Sequence, residues 1–283
     1  MKIQLIETGL FRLDGGAMFG IVPKTLWERV YNPGDEKNRI PLQSRILLIQ
    51  KNGRNILVDC GNGTKFDDKK KSIYDINFES SDPVNFLKPY GLKPTDITDV
   101  ILTHLHFDHC GGATTIENGK IVPSFPNAKY YVQREQYNHA INPTLKDVAS
   151  YFQENYLPLK ENGLLELLDG DGEIFPGIAV ITVDGHTPKM QMVKITDGET
   201  TYLYLADLIP TAAHIPLPYI LAYDNYPLTT LKEKGKLLPI IVENDWIVIF
   251  EHDAFVPAGK IVFDDAKRGY KLGEKISVIE TQS

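Results

Sequence analysis

Residues 100–113 read Val-Ile-Leu-Thr-His-Leu-His-Phe-Asp-His-Cys-Gly-Gly-Ala. Three of the chain's seven histidines and one aspartate fall within six positions of this stretch. Val100-Ile101-Leu102 is a short apolar run of the kind that forms a buried strand. Residues two apart on a strand face one side, so His104 and His106 are expected to point together. Asp108 and His109 follow where the chain leaves the strand, and Gly111-Gly112 gives the backbone room to turn. Imidazoles suit a borderline metal such as zinc, and a carboxylate suits a harder or second one, so the cluster can hold two cations side by side.

The H-x-H-x-D-H stretch resembles the signature of the metallo-β-lactamase-fold hydrolases, and further landmarks extend the resemblance over nearly the whole chain. Leu57-Val58-Asp59-Cys60-Gly61 is similar to the second landmark. There the aspartate supports the metal site from behind, so the resemblance implies that Asp59 orients a ligand histidine by hydrogen bonding, the alternative being an aspartate that only ends the strand in a turn. Gly185-His186-Thr187-Pro188 matches the third landmark and supplies His186, although Lys189 stands where the family carries glycine and brings a cation near the rim. The strand-like run Thr201–Ala206 delivers Asp207, and Trp246–Phe250 delivers His252.

The resemblance implies a single α/β domain over residues 1–283. It is a four-layer αββα sandwich of two mixed β-sheets flanked by helices. Strands, a ligand cluster and helices recur before and after about residue 160, in keeping with that layout. No linker or low-complexity segment interrupts the chain.

Composition bounds the function. With 42% hydrophobic and 24% charged residues, the chain is globular rather than disordered. A formal charge of −7 argues against a nucleic-acid partner, and the one basic cluster, Lys69-Lys70-Lys71, reads as a solvated loop. No apolar run is long enough for a bilayer, so no membrane partner is expected. Residues 1–9 lack a signal-peptide core and read as a first strand, which places the protein in the cytoplasm. Cys60 and Cys110 make no disulfide framework and are expected to be buried free thiols.

Asn52-Gly53 is a hairpin turn between strand-like segments at 45–50 and 55–59. A helix is expected over 82–91, started by Asp82 and Pro83 and closed by Gly91. A strand follows at 129–133, then helices at 134–140 and 145–155. His139, on the first of these, has no ligand-type neighbour in sequence and is set aside. Strand-like pieces fill 165–183, a helix spans 226–244, and the tail adds short strands at 260–263 and 275–278. The glycine-rich, apolar segment 14–30 reads as a loop. Either it is a lid whose Met18, Phe19 and Trp27 cover an apolar substrate pocket, or it packs on the core or in a homodimer contact.

By resemblance, His104, His106 and His186 bind one metal, Asp108, His109 and His252 bind the second, and Asp207 bridges them. The cofactors implied are two divalent ions, zinc first, with iron, manganese or cobalt as alternatives. Two such ions can share a hydroxide with its pKa lowered toward neutrality. Asp108 and Asp207 are then the catalytic carboxylates, with Asp108 placed to take or pass the proton. Asp207 and the full seven-ligand set depart from the true β-lactamases of this fold, and His106 stands where the diiron flavoproteins carry glutamate. The remaining likeness is to the acyl-homoserine lactonases and related organophosphate hydrolases. The expected activity is therefore opening of a small-molecule ester or lactone, with phosphoester hydrolysis or a mononuclear iron sulfur-compound dioxygenase as alternatives. A metal-binding module without turnover is disfavoured, because non-catalytic zinc sites are normally closed by four ligands. Those lactonases place a tyrosine just after the bridging aspartate. Here Leu208-Ile209-Pro210 follows, and Tyr223 and His214 are each either a substitute from a neighbouring loop or a packed loop residue.

Overall fold

The computed structural model describes residues 1–277, and they form two compact units. The first unit comprises residues 1–10 and 44–170, and the second takes in 11–43 and continues from 171. The break at 170 lies near the midpoint that the recurring strand and ligand pattern suggests.

The first sheet has six strands in the order Lys2–Asp14, Arg39–Lys51, Arg54–Val58, Asp99–Ile101, Lys129–Gln133 and Leu165–Leu168. Its second and third strands are antiparallel and joined by a two-residue loop, with Lys51 opposite Arg54. Asn52 and Gly53 both take positive φ, 50° and 76°, as the twist of such a hairpin demands. The next three pairings are parallel, so the sheet is mixed. Leu57, Val100, Tyr130 and Val132 are buried in one apolar cluster, in keeping with the near-continuous hydrophobic character of these strands.

The second sheet has seven strands, in the order Gly269–Ile276, Ala258–Asp264, Ile247–Ile249, Thr200–Tyr204, Met190–Asp197, Ile178–Val183 and Gly172–Phe175. One pairing, Thr200–Tyr204 with Ile247–Ile249, is parallel and the others are antiparallel. The helix Pro227–Glu243 belongs to this unit and buries Thr230, Lys234, Leu237, Leu238 and Ile241. That spacing is one helical face. Among the described residues no helix is long and apolar enough to cross a membrane.

Several local expectations are corrected. The strand before the histidine cluster ends at Ile101, so His104 and His106 lie on a loop rather than on a strand. Asp108 and His109 sit on a single helical turn, Phe107–Cys110. The glycine pair lies in a 3-10 turn, Gly111–Ala113, but Gly111 keeps helical angles, φ −58° and ψ −39°, that any residue adopts. The pair permits close approach instead. A Cβ at Gly111 would lie 2.0 Å from the Asn62 carbonyl oxygen, and one at Gly112 2.2 Å from that of Cys60.

The segment 82–91 is a helix at Pro83–Leu87 that tightens to a 3-10 turn at Lys88–Tyr90. The helix expected at 145–155 is absent. Two 3-10 turns, Val148–Ser150 and Gln153–Asn155, precede a helix at Leu157–Glu161. Segment 14–30 is not an irregular loop, since it contains helices Gly15–Phe19 and Lys24–Trp27. The strand expected at 275–278 is observed through Ile276, and Val278 lies outside the described residues.

Candidate functional site

In the first unit, the chain leaving the strand Asp99–Ile101 turns so that Thr103 meets Asp59. Oδ1 of Asp59 accepts from the Thr103 amide and Oδ2 from the Thr103 hydroxyl, both at 2.7 Å. With its proton given to Asp59, the Thr103 oxygen accepts from His104 Nδ1 at 3.1 Å. Asp59 Oδ2 also lies 3.2 Å from His109 Nδ1. This fixes the tautomer of both rings and leaves each Nε2 lone pair for another partner. His104 Nε2 sits 3.0 Å from His106 Nδ1, with the two ring centroids 4.5 Å apart. His106 packs edge-on against Tyr151 at 4.7 Å. Asp108 is buried on the turn that carries His109.

In the second unit, the Asp207 carboxylate lies between two imidazoles. Its Oδ2 is 3.1 Å from His186 Nε2, and its Oδ1 is 3.1 Å from His252 Nε2. The far nitrogen of each ring is occupied. His186 Nδ1 donates to Asp224 Oδ1 at 2.8 Å, and the Thr230 hydroxyl donates to Asp224 Oδ2 at 2.7 Å. His252 Nδ1 donates to the Gln43 carbonyl at 2.9 Å. The 184–186 turn is pinned to the Pro227–Glu243 helix, where the Glu233 carboxylate accepts from the Asp184 and Gly185 amides at 2.7 and 3.0 Å.

Both sets consist of His and Asp groups able to hold a metal ion. The donor chemistry fits borderline divalent cations. Adjacent donor atoms stand 3.0–3.1 Å apart. That is close to the edge of about 3.3 Å that bonds of roughly 2.0 Å make at tetrahedral angles. Burial works against a charge on His186, yet the Asp207 and Asp224 carboxylates on either side raise its pKa to about 9. The second set therefore favours positive charge at the His186 Nε2 edge. The two thiols are not part of this chemistry. Burial pushes Cys60 well up and Cys110 to about 12, so neither is a thiolate at neutral pH.

Non-glycine residues with left-handed backbone recur at these turns: Asp59 at φ 60°, Lys189 at 52° and Ala206, beside Asp207, at 46°. Each such conformation costs roughly 1–2 kcal/mol and is held by its surroundings. Lys189 is held by Asp184, which accepts from its amide at 3.0 Å and pairs with its ammonium at 3.1 Å. Its charge is thus spent on a neighbour.

The expected pocket residues lie in the second unit. Met18, Phe19 and Trp27 are buried. Phe19 stacks between Trp27, at 5.2 Å, and His214, at 4.5 Å. His214 donates from Nε2 to the Met18 carbonyl at 2.8 Å and accepts at Nδ1 from Thr211 at 2.7 Å. Burial lowers its pKa to about 3, so it stays neutral with both ring nitrogens engaged. It supports the Met18–Phe19 segment rather than offering a nitrogen to a ligand. Tyr223 is half-buried in the turn before Asp224.

Four supporting groups escape a sequence reading: Asp224, Thr230, Glu233 and the Gln43 carbonyl. Asp224 lies 38 positions from the histidine it holds, and no motif marks it.

Residues 39–252 match the family model described as Metallo-beta-lactamase superfamily. An N-acyl homoserine lactonase of Bacillus sp. is 31% identical over 185 residues, which is 64% of this chain and 66% of that protein. The chain thus spans slightly less than two thirds of that relative's length. A crystal structure described as a probable metal-dependent hydrolase from Staphylococcus aureus superposes with a TM-score of 0.86 at 31% identity, covering 97% of this chain and 98% of that one. An N-acyl homoserine lactone hydrolase, with its product N-hexanoyl-L-homoserine bound at the catalytic metal center, superposes with a TM-score of 0.71 at 25% identity, covering 89% and 93%.

Proposed function

The chain belongs to the metallo-beta-lactamase superfamily, and on that premise we propose that it is a binuclear metal-dependent hydrolase opening the ester bond of a lactone, with N-acyl homoserine lactones first among the substrates. In this reading both units serve one catalytic domain. His104, His106 and His186 would hold one cation and Asp108, His109 and His252 the other, with Asp207 available as a ligand to both. The observation that carries it is the Asp207 carboxylate with a histidine Nε2 at 3.1 Å from each oxygen and the far nitrogen of each ring already committed. Bound divalent ions supply Lewis acidity toward the ester carbonyl and an acidified water.

The chain's own residues orient and move protons. Asp59, Asp224 and the Gln43 carbonyl engage Nδ1 of His109, His186 and His252, so that each Nε2 is the nitrogen left for a cation. Asp108 passes the proton from the attacking water to the leaving alkoxide. Tyr223 takes the place of the tyrosine missing after Asp207 and binds the lactone carbonyl. Met18, Phe19 and Trp27 shape the apolar side of the pocket through their packing with His214. Support for the lactone comes from the similarity to an N-acyl homoserine lactonase and to an N-acyl homoserine lactone hydrolase. Zinc is the preferred ion, and the cytoplasm the expected site of action.

Proton release from a panel of lactones, run with metal-loaded and chelator-stripped protein, tests the reading. Turnover that vanishes on stripping and returns with metal is expected. Silence on lactones with turnover of an aryl phosphotriester would replace it by phosphoester hydrolysis. Silence on both, in protein holding a single iron, would replace it by the dioxygenase. His106→Ala is expected to abolish turnover and lower metal content, and retained activity at matched metal content would remove His106 from the ligands.

A further inference from the structure

The second unit contains a trough of about 820 Å3 that none of the seven ligand residues lines. Val30, Leu217, Phe255 and Leu272 form its apolar walls. Val30 and Phe255 leave 54% and 47% of their surfaces exposed, an arrangement that favours an apolar occupant. The volume falls in the range of about 300–1,000 Å3 typical of small-molecule sites.

The charges around it are unevenly committed. Asp253 accepts from the amides of Ala212, Phe255 and Val256, each at 2.8 Å. Asp264 accepts from the Lys271 ammonium at 2.8 Å and from the amides of Ala266 and Lys267 at 3.1 and 3.2 Å. Both carboxylates are thereby satisfied within the protein. Lys267 and Arg268 also line the trough, on the turn joining the strands Ala258–Asp264 and Gly269–Ile276. Their side chains are exposed, and among the described residues neither charge has an ion-pair partner. Asp265, on the same turn, does not line the trough. Arg268 takes φ 49°, a conformation that glycine or asparagine adopts at lower cost.

An apolar trough whose lining includes two adjacent cations without ion-pair partners among the described residues matches a molecule with an apolar tail and an anionic head. We propose that this trough is a binding site for a monomeric acyl-chain carboxylate, with the tail along Val30, Leu217, Phe255 and Leu272 and the carboxylate against Lys267 and Arg268. The site does not depend on which bond the metal centre cleaves.

Calorimetric titration of the metal-loaded protein with hexanoate, octanoate, decanoate and dodecanoate, below their micellar concentrations, tests the proposal. Each methylene buried in the trough contributes up to about 0.8 kcal/mol, so affinity is expected to rise by as much as about fourfold per carbon. The double variant Lys267→Gln/Arg268→Asn removes both charges, and asparagine accepts the left-handed backbone. It is expected to weaken decanoate about tenfold, as loss of a charge-assisted contact does, while leaving decanol binding, metal content and hydrolytic rate unchanged. Leu217→Glu is expected to weaken decanoate and decanol alike.

Four results would overturn the proposal. Affinity could be flat with chain length. Decanoate could bind the double variant as tightly as the unmodified protein, which would locate it elsewhere, including at the metals. The protein could sediment with anionic vesicles without binding monomeric carboxylates, which would make the trough a membrane contact. Or it could form a concentration-dependent dimer that excludes decanoate, which would make the trough an interface between copies.

Discussion

Removing the Asp224 carboxylate isolates what orients His186. Asp224→Ala leaves the Nδ1–H of a buried ring without its acceptor and frees the ring to turn. Metal affinity is expected to fall about 10–100-fold, the usual effect of deleting such a support, and Asp224→Asn, which keeps an acceptor oxygen, is expected to lose less. Competition with a chromophoric chelator measures both, and an unchanged affinity in the alanine variant would show that Asp224 does not support the metal. The ligand types themselves were legible, because His104, His106, Asp108 and His109 are crowded into six positions. The juxtaposition of His104 and His106 was anticipated for a reason that does not hold: the loop after Ile101 brings the rings together, not the alternation of a strand. Asp224 was illegible because a carboxylate 38 positions away reaches His186 through tertiary packing, which leaves no local pattern. Lys189 was legible only in part. Its residue type suggests a rim cation, and the structure adds the partner that no motif announces, the Asp184 carboxylate at 3.1 Å.

The helix Pro227–Glu243 carries the supports of the 184–186 turn, so its stability bears on the second set of ligands. Gly235 lies in its interior, exposed, and a Cβ there meets nothing within 4 Å. Gly235→Ala is therefore expected to stabilise the protein by about 1 kcal/mol with no change in ligand geometry, read as a higher urea midpoint at constant slope. A lowered midpoint would mean that the helix needs flexibility at this position. This helix and the Asn52-Gly53 hairpin were legible because their signals are local: a buried face at helical spacing and a two-residue turn. The segment 145–155 was not. Its residues favour a helix locally, but the Tyr151 hydroxyl donates to Gln136 and the Tyr156 hydroxyl to the Ala140 carbonyl. Asp147 is bound by Thr144 and His139. These longer-range contacts draw the segment into separate 3-10 turns against the Arg134–Ile141 helix, and tertiary context overrides propensity.

At the scale of the whole molecule, two buried bases make stability depend on pH. Lys234 is fully buried and donates to the carbonyls of His214, Pro216 and Tyr219 at 2.7, 2.9 and 2.8 Å. Burial lowers its pKa from 10.5 to about 7. Burial likewise lowers His214 from 6.5 to about 3. In both cases the unfolded chain holds a proton that the folded protein has released. Folding stability therefore rises with pH wherever that difference exists. For Lys234 the contribution is complete above 10.5 and is lost as pH falls through 7. For His214 it is complete above 6.5 and is lost as pH falls through 3. Other lysines and tyrosines titrate in the alkaline window, so the informative quantity is a difference between two proteins. Lys234→Met removes the titrating group and, at every pH, the hydrogen bonds to the 214–219 carbonyls. Urea unfolding at intervals from pH 6 to 10 is expected to show the unmodified protein gaining on the variant as pH rises above 7, by a few kcal/mol in all, with no change in the gap below 7. Parallel curves across the whole range would mean that Lys234 keeps its proton in the folded state, held by the three carbonyls, and that its burial makes no pH-dependent contribution to stability.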